Sequence, residues 1–262
     1  MPTGSERFLD ARSLQADHRR LAALLAPGMS VLDVGCGSGA ITRGIAEAVG
    51  SSGRVVGIDV SEELLELALT THGGPVSLEF EVADVTRHGY RDEFDVVTAA
   101  RVLQWLADPR AALRGMIAAA RPGGWIIVLD YNHTQARWRP DPPEEFTRFY
   151  DAFLAWRAEV GMDNEIADHL AAMMGEMGLT DVTSTEEIEH TERGDSDFDT
   201  RLALWPGVIA TRGHQLVADG KLSEADRAAA GRVFADWVAT DARSQSLHLL
   251  AVSARKPAPA GL

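Results

Sequence analysis

The chain has a single cysteine, Cys36, among its 262 residues. No intrachain disulfide can form, so packing alone must hold the fold, and a lone thiol fits a reducing compartment. There is no uninterrupted apolar run of the about 18 residues that a membrane-spanning helix requires. The first ten residues are polar and charged and lack the apolar centre of a signal peptide. These absences point to a soluble, cytoplasmic protein without a membrane partner. Positive charge is also scarce: 25 basic residues face 39 acidic ones, giving a formal net charge of -14 with no Lys/Arg run. A field of that sign repels phosphate backbones and argues against a nucleic-acid partner. Internal repeats and low-complexity tracts are missing, and no His/Cys/Asp spacing suits a metal, so none is expected. Oligomeric state is not legible. What is plentiful is apolar surface, 45% of residues, enough for a full core.

The leader, residues 1–27, has helical apolar spacing at Phe8, Leu14, Leu21, Leu24 and Leu25 before Pro27-Gly28 breaks it. From residue 30 to 131, strand-like and helix-like segments alternate. Strands are expected at Val31–Val34, Arg54–Ile58, Ser77–Val82, Phe94–Thr98 and Trp125–Leu129. Helices are expected over 40–49, after Ser61, and from Asp108-Pro109 to the Arg121-Pro122-Gly123-Gly124 turn. Ser61 followed by Glu62 and Glu63 reads as a cap with acid in the first turn, and Asp108-Pro109 as a cap with Pro at N1. This alternation implies a parallel sheet covered on both faces, an α/β fold. Beyond 131, helices are expected over 144–160, 164–178, 198–219 (broken at Trp205-Pro206-Gly207) and 223–241, with strands over 181–191 and 244–254 and a loose tail from Lys256.

The most informative stretch is Val31-Leu32-Asp33-Val34-Gly35-Cys36-Gly37-Ser38-Gly39. An apolar strand runs into three alternating glycines and then a helix, at the carboxyl end of a strand where open α/β sheets bind ligands. Gly35, Gly37 and Ala40 also satisfy the dinucleotide fingerprint, so the loop alone leaves a nicotinamide-dependent oxidoreductase open. Asp33 before the loop, Asp59 at the end of the second strand and Asp84 after the third favour another reading.

These elements, in order with Phe94-Asp95-Val96-Val97 and Arg121-Pro122-Gly123-Gly124, resemble the class I S-adenosylmethionine-dependent methyltransferase family over about residues 28–131. Leu103-Gln104-Trp105 looks like its small-molecule branches. The resemblance implies a Rossmann-like, seven-stranded, mostly parallel sheet ending in an antiparallel hairpin formed by 181–191 and 244–254. It implies S-adenosylmethionine as cofactor. Gly35, Gly37 and Gly39 would line its methionine and ribose, with Asp33 supporting the loop and the ammonium. Asp59 would hold the ribose hydroxyls and Val60 would lie against the adenine. Asp84, flanked by Ala83 and Val85, would read the adenine amino group. Ala99 and Arg101 would sit beside the methionine end, and Gln104 would border cofactor and substrate.

The core thus spans 28–131, completed by 163–194 and 243–256. Two surplus segments, 132–162 and 195–242, are expected as a helical cap over the acceptor. The first is dense in aromatics. Phe146, Phe149, Tyr150, Phe153 and Arg157 share one helical face, and with Trp138 they read either as an apolar pocket bearing one guanidinium or as core packing. His133, directly after the fifth strand, is the candidate general base, with Tyr131 and Gln104 as orienting groups. The expected reaction is metal-independent methyl transfer to a small-molecule acceptor of unspecified O, N, C or S chemistry. The other readings are a protein that keeps S-adenosylmethionine as a structural ligand and the oxidoreductase.

Overall fold

The computed structural model describes residues 12–258; Phe8 and the rest of 1–11, with 259–262, lie outside the described residues. Two short helices, α1 (Leu14–Asp17) and α2 (Arg19–Leu24), come first. The alternating core follows as β1 (Ser30–Val34), α3 (Ala40–Val49), β2 (Arg54–Asp59), α4 (Glu62–His72), β3 (Leu78–Val82), β4 (Phe94–Ala100), α5 (Pro109–Ala119) and β5 (Ala120–Arg139). Then come α6 (Glu144–Glu159), α7 (Ile166–Glu176), β6 (Thr180–Glu186), β7 (Glu189–Glu192), α8 (Phe198–Leu202), α9 (Leu204–Ala218), α10 (Glu224–Thr240) and β8 (Ser244–Arg255).

The sheet runs β3-β2-β1-β4-β5-β8-β6, with β7 also paired to β8. Strands β1 to β5 are parallel, and β8 is antiparallel to β5, β6 and β7. Strand order reverses between β1 and β4, which opens the crevice where such sheets take ligands. β1 and β4 are buried along almost their whole length, as a sheet covered on both faces requires. One face packs on α5 and α7 through Met116, Ile166, Leu170 and Met174. The other packs on α1 to α3 through Leu14, Leu21 and Ile45. Two expected helix starts show capping bonds: Ser61 accepts from Leu64 N at 3.3 Å, and Asp108 accepts from Ala111 N at 3.0 Å with Pro109 at N1.

Three expectations need correction. The sheet has eight strands, because the 181–191 segment is interrupted at Glu187-Ile188. Glu187 is buried and its carboxylate accepts from the backbone amides of Arg19 and Arg20, satisfying free N–H groups that start α2, while its own N–H still donates to Leu249 O of β8 at 3.0 Å. β5 does not stop near 129; after a bulge between Asn132 and Arg137 it pairs on with β8 through Arg139. The start of the first surplus segment is therefore strand. The break in 198–219 falls at Ala203, and Pro206 lies in the first turn of α9, where a missing N–H is harmless.

The two surplus segments share one core. Phe146, Phe149, Tyr150 and Phe153 of α6 pack with Phe198, Trp205, Ile209 and Phe234 over Leu129, Leu247 and Leu249 of the sheet. Gln245 Oε1 accepts from both Trp138 Nε1 and Trp205 Nε1 at 2.9 Å, so these two indole N–H groups are satisfied inside that core.

Candidate functional site

At the carboxyl end of β1, Gly35, Gly37 and Gly39 all have positive φ, the region that disfavours side chains. A β-carbon at Gly35 would also sit 2.5 Å from Val102 Cγ2, so the loop closes tightly against the segment after β4. Asp59 ends β2 and ties the loop from the side. Its Oδ2 accepts from Gly37 N at 3.0 Å and its Oδ1 from Ser61 N at 2.9 Å. Each oxygen keeps a lone pair for another donor. Beyond it, Val60 is 71% exposed and Val82, at the end of β3, is 52% exposed. Asp59 and Val82 are register partners, so these exposed apolar side chains belong to adjacent strand ends. Asp84 is exposed, accepts from Thr86 N and Oγ1 at 2.7 Å, and is held below the usual carboxylate range by those bonds. Ala83 is half-buried, while Val85 and Ala99 are buried.

Asp33 is buried and accepts from Thr42 Oγ1 at 2.7 Å. Burial pushes its carboxyl up to about 7 against the effect of that bond, with the charge of Asp59 adding to the rise. The folded protein therefore holds this proton more tightly than the unfolded chain, whose ordinary value is 3.8. That contribution to stability is complete below about pH 4 and is lost as pH rises through 7. Asp33→Asn, which keeps an acceptor for Thr42, is expected to narrow the fall in Tm between pH 5 and pH 8; an unchanged gap in thermal scans would refute a raised Asp33.

The ends of β4 and β5 carry a buried polar network. Arg101 follows β4 with φ of 62°, an uncommon conformation for a side-chain-bearing residue. Its guanidinium pairs with Glu189 of β7, and its Nε donates to Tyr131 Oη at 3.1 Å. Burial works against the Glu189 carboxylate, but Arg101 and Arg12 more than offset it and keep it charged. Arg101, expected beside the methionine end, has Nε and Nη2 on protein partners, while its buried Nη1 has no hydrogen-bond partner among the described residues. Tyr131 also donates to Glu189 Oε2 at 3.4 Å, and burial with the neighbouring charge pushes its hydroxyl up to about 12. Glu189, with Arg12, Asp17, Thr191, Arg201 and Gln245, lines a cavity of about 60 Å³.

A second chain of contacts runs through Gln104. Its N–H donates to Asp130 Oδ2 at 3.1 Å, its amide nitrogen donates to Arg101 O at 3.2 Å, and its Oε1 is 2.6 Å from His133 Nε2. The amide oxygen can only accept, so His133 carries its proton on Nε2. Burial and the charge of Arg157 hold the imidazole well below its ordinary range. The near-neutral base expected at His133 is therefore corrected: the ring is a neutral, buried donor to Gln104. Arg157 is fully buried, donates to Asn164 Oδ1 and Gln104 O at 2.8 Å, and lies 4.9 Å from the Trp105 ring centre and 5.3 Å from that of Phe153. It neither snorkels to solvent nor lines the cavity by Glu189. Trp138, Phe149, Tyr150 and Phe153, expected around substrate, are packed in the shared core, with Tyr150 Oη donating to His133 O at 2.6 Å.

Sequence reasoning missed Asp130, Glu189 and Asp17. Asp130 was findable, because it lies near the carboxyl end of the β5 core segment as Asp33 and Asp59 do of theirs. Glu189 had no signal of its own among the acids of 186–192.

A family model for the methyltransferase domain matches residues 25–173, more than half of the chain. The chain belongs to the methyltransferase domain family. That membership decides against the oxidoreductase reading of the glycine loop. Phosphoethanolamine N-methyltransferase 1 of Arabidopsis thaliana is 32% identical over 167 residues, which cover 63% of this chain and 31% of that protein. The match therefore spans about a third of that relative's length. Among solved structures, phosphoethanolamine N-methyltransferase 2 of Haemonchus contortus with S-adenosylhomocysteine gives a TM-score of 0.56 at 18% identity, covering 98% of this methyltransferase-family chain and 53% of that one. The [4+2]-cyclase SpnF gives 0.55 at 19% identity, covering 95% and 85%. At these identities the structures establish the fold, which is that of S-adenosylmethionine-dependent methyltransferases.

Proposed function

We propose that this methyltransferase-family protein binds S-adenosylmethionine at the β1–β2 crevice and transfers its methyl group to a small-molecule acceptor. The observation that carries this is the joint placement of the glycine loop, Asp59 and the two exposed valines at adjacent strand ends. A charged acceptor stands where ribose hydroxyls would need one, beside apolar side chains that an adenine would cover. The residues present fit the cofactor on those grounds. Gly35, Gly37 and Gly39 would follow its methionine and ribose, Asp33 its ammonium, Asp84 its adenine amino group, and Ala99 the wall behind. The cofactor supplies an activated sulfonium methyl group.

What this chain must add is alignment and exclusion of water. Tyr131, held by Arg101 and Glu189, would orient the acceptor's polar end. Gln104 and His133 form a buried contact that would support the site, and the helices of 144–159 and 198–240 would form the cap over the acceptor. Among the described residues no group of three or more His, Cys, Asp or Glu side chains could hold a metal, and the proposed transfer requires none. No described helix is long and apolar enough to cross a membrane.

The [4+2]-cyclase neighbour keeps a second reading in view, in which the cofactor is bound without donating its methyl. Incubation with methyl-labelled S-adenosylmethionine and a panel of O, N, C and S acceptors separates the two. Label in product with equimolar S-adenosylhomocysteine is the expected result. Tight S-adenosylhomocysteine binding without label transfer to any acceptor would favour the second reading, and thermal stabilisation by NAD in place of S-adenosylhomocysteine would overturn both.

A further inference from the structure

A second cavity, of about 260 Å³, lies between α5 and the loop that follows β3. It is lined by Val85, Thr86, His88 and Arg91 from the loop and by Ala111, Arg114, Gly115 and Ala118 from α5. Two arginines and a histidine contribute to this wall and no carboxylate does, in a chain with a formal net charge of -14. Gly115 makes the arrangement possible: a β-carbon there would sit 1.9 Å from Val85 O, so only glycine lets the loop dock on the helix.

His88 is the decisive residue. It is 92% buried, being 8% exposed, and neither ring nitrogen has a partner of hydrogen-bond geometry. Burial and the charge of Arg91 lower the ring's pKa and keep it neutral, against the Gly115 backbone acceptor and the charges of Glu81 and Asp84, which favour the protonated ring. A neutral imidazole still offers one N–H, and a buried N–H without a partner is costly. Arg91 donates from Nη1 to His88 O and Tyr90 O, and Arg114 reaches Asp108 at 3.3 Å, so each guanidinium retains further donors.

We propose that this cavity binds a tetrahedral oxyanion, a phosphate group either free or carried by a small molecule. The forked donors of Arg91 and Arg114 suit its oxygens, and the His88 N–H supplies the inner contact. The volume exceeds that of the bare ion and leaves room for an organic substituent. The cavity lies on the loop that carries Asp84, behind the proposed adenine contact and apart from the cavity by Glu189. It is thus independent of the methyl-transfer reading.

The test uses the full chain without cofactor. Histidine resonances are followed by NMR during titration with inorganic phosphate, then sulfate, then acetate, at matched ionic strength. The expected result is a saturable shift of one buried histidine with phosphate and sulfate, together with a rise in its titration midpoint. Calorimetry should give about tenfold or weaker phosphate affinity in each of Arg91→Gln and Arg114→Gln. Both side chains are exposed, so neither change threatens the fold. An equal response to acetate, no saturable shift, or unchanged affinity in both variants would overturn the proposal. His88→Gln, which loses the shifting resonance, assigns it; if that variant does not fold, loss of the shift in the two arginine variants serves instead.

Discussion

Arg157→Ala is expected to lower the stability of the folded chain by about 3–5 kcal/mol, the range for removing one partner of a buried charged network. For a chain of this size that is a fall in Tm of roughly 6–20 °C, at about 2–4 °C per kcal/mol. Burial already draws the guanidinium down to about 10, and the Asp130 charge is what opposes that fall. Its loss would strand Gln104 O and Asn164 Oδ1 and leave a void between Trp105 and Phe153. Asp130, already raised to about 6 by burial, would lose a neighbouring cation and rise further. Arg157→Met fills most of the void without a charge and should lose clearly less. Denaturant unfolding measures both; a loss below about 1 kcal/mol in Arg157→Ala would show that the network is not a stabilising unit.

Asp59→Ala should weaken S-adenosylmethionine binding by about 1.5–3 kcal/mol, about tenfold to 150-fold, because a charged acceptor would be withdrawn from two hydroxyls. The carboxylate also accepts from Gly37 N and Ser61 N, so its removal loosens the glycine loop as well. Asp59→Asn separates the effects: it retains one acceptor for the loop but loses charge, and should fall between wild type and alanine. Calorimetry with S-adenosylhomocysteine as a second ligand is the direct check. Unchanged affinity in Asp59→Ala would remove this residue from the cofactor site.

Much of the core was legible because its signals are local. Strand and helix alternation over 30–131, the Ser61 and Asp108 caps and the carboxylates at strand ends all depend on residues within a few positions of one another. The eighth strand was not legible, because nothing local marks the break at Glu187-Ile188, and the amides that hold the Glu187 carboxylate, those of Arg19 and Arg20, are far away in sequence. The aromatic face of α6 was read correctly as a face. Periodicity says which residues share a side, not whether that side meets a ligand or Trp205 and Phe234. His133 misled for a related reason: it lies within the extended β5 and not after it, and its basicity depends on burial and on Arg157, which sequence spacing does not express.

β8 has a consequence for the order in which this molecule can be assembled during synthesis. It is the strand with which β5, β6 and β7 all pair, and Leu247 and Leu249 form part of the floor beneath the aromatic core. A ribosome has therefore delivered every described helix before the outer half of the sheet can close. Until then the long strand after α5 has an open edge, and the rings of α6 lack their floor. The crevice half, β1 to β4, has no such dependence. The emerging chain thus passes through a stage in which its crevice half can be native while its other half still offers an unpaired edge and apolar surface to chaperones.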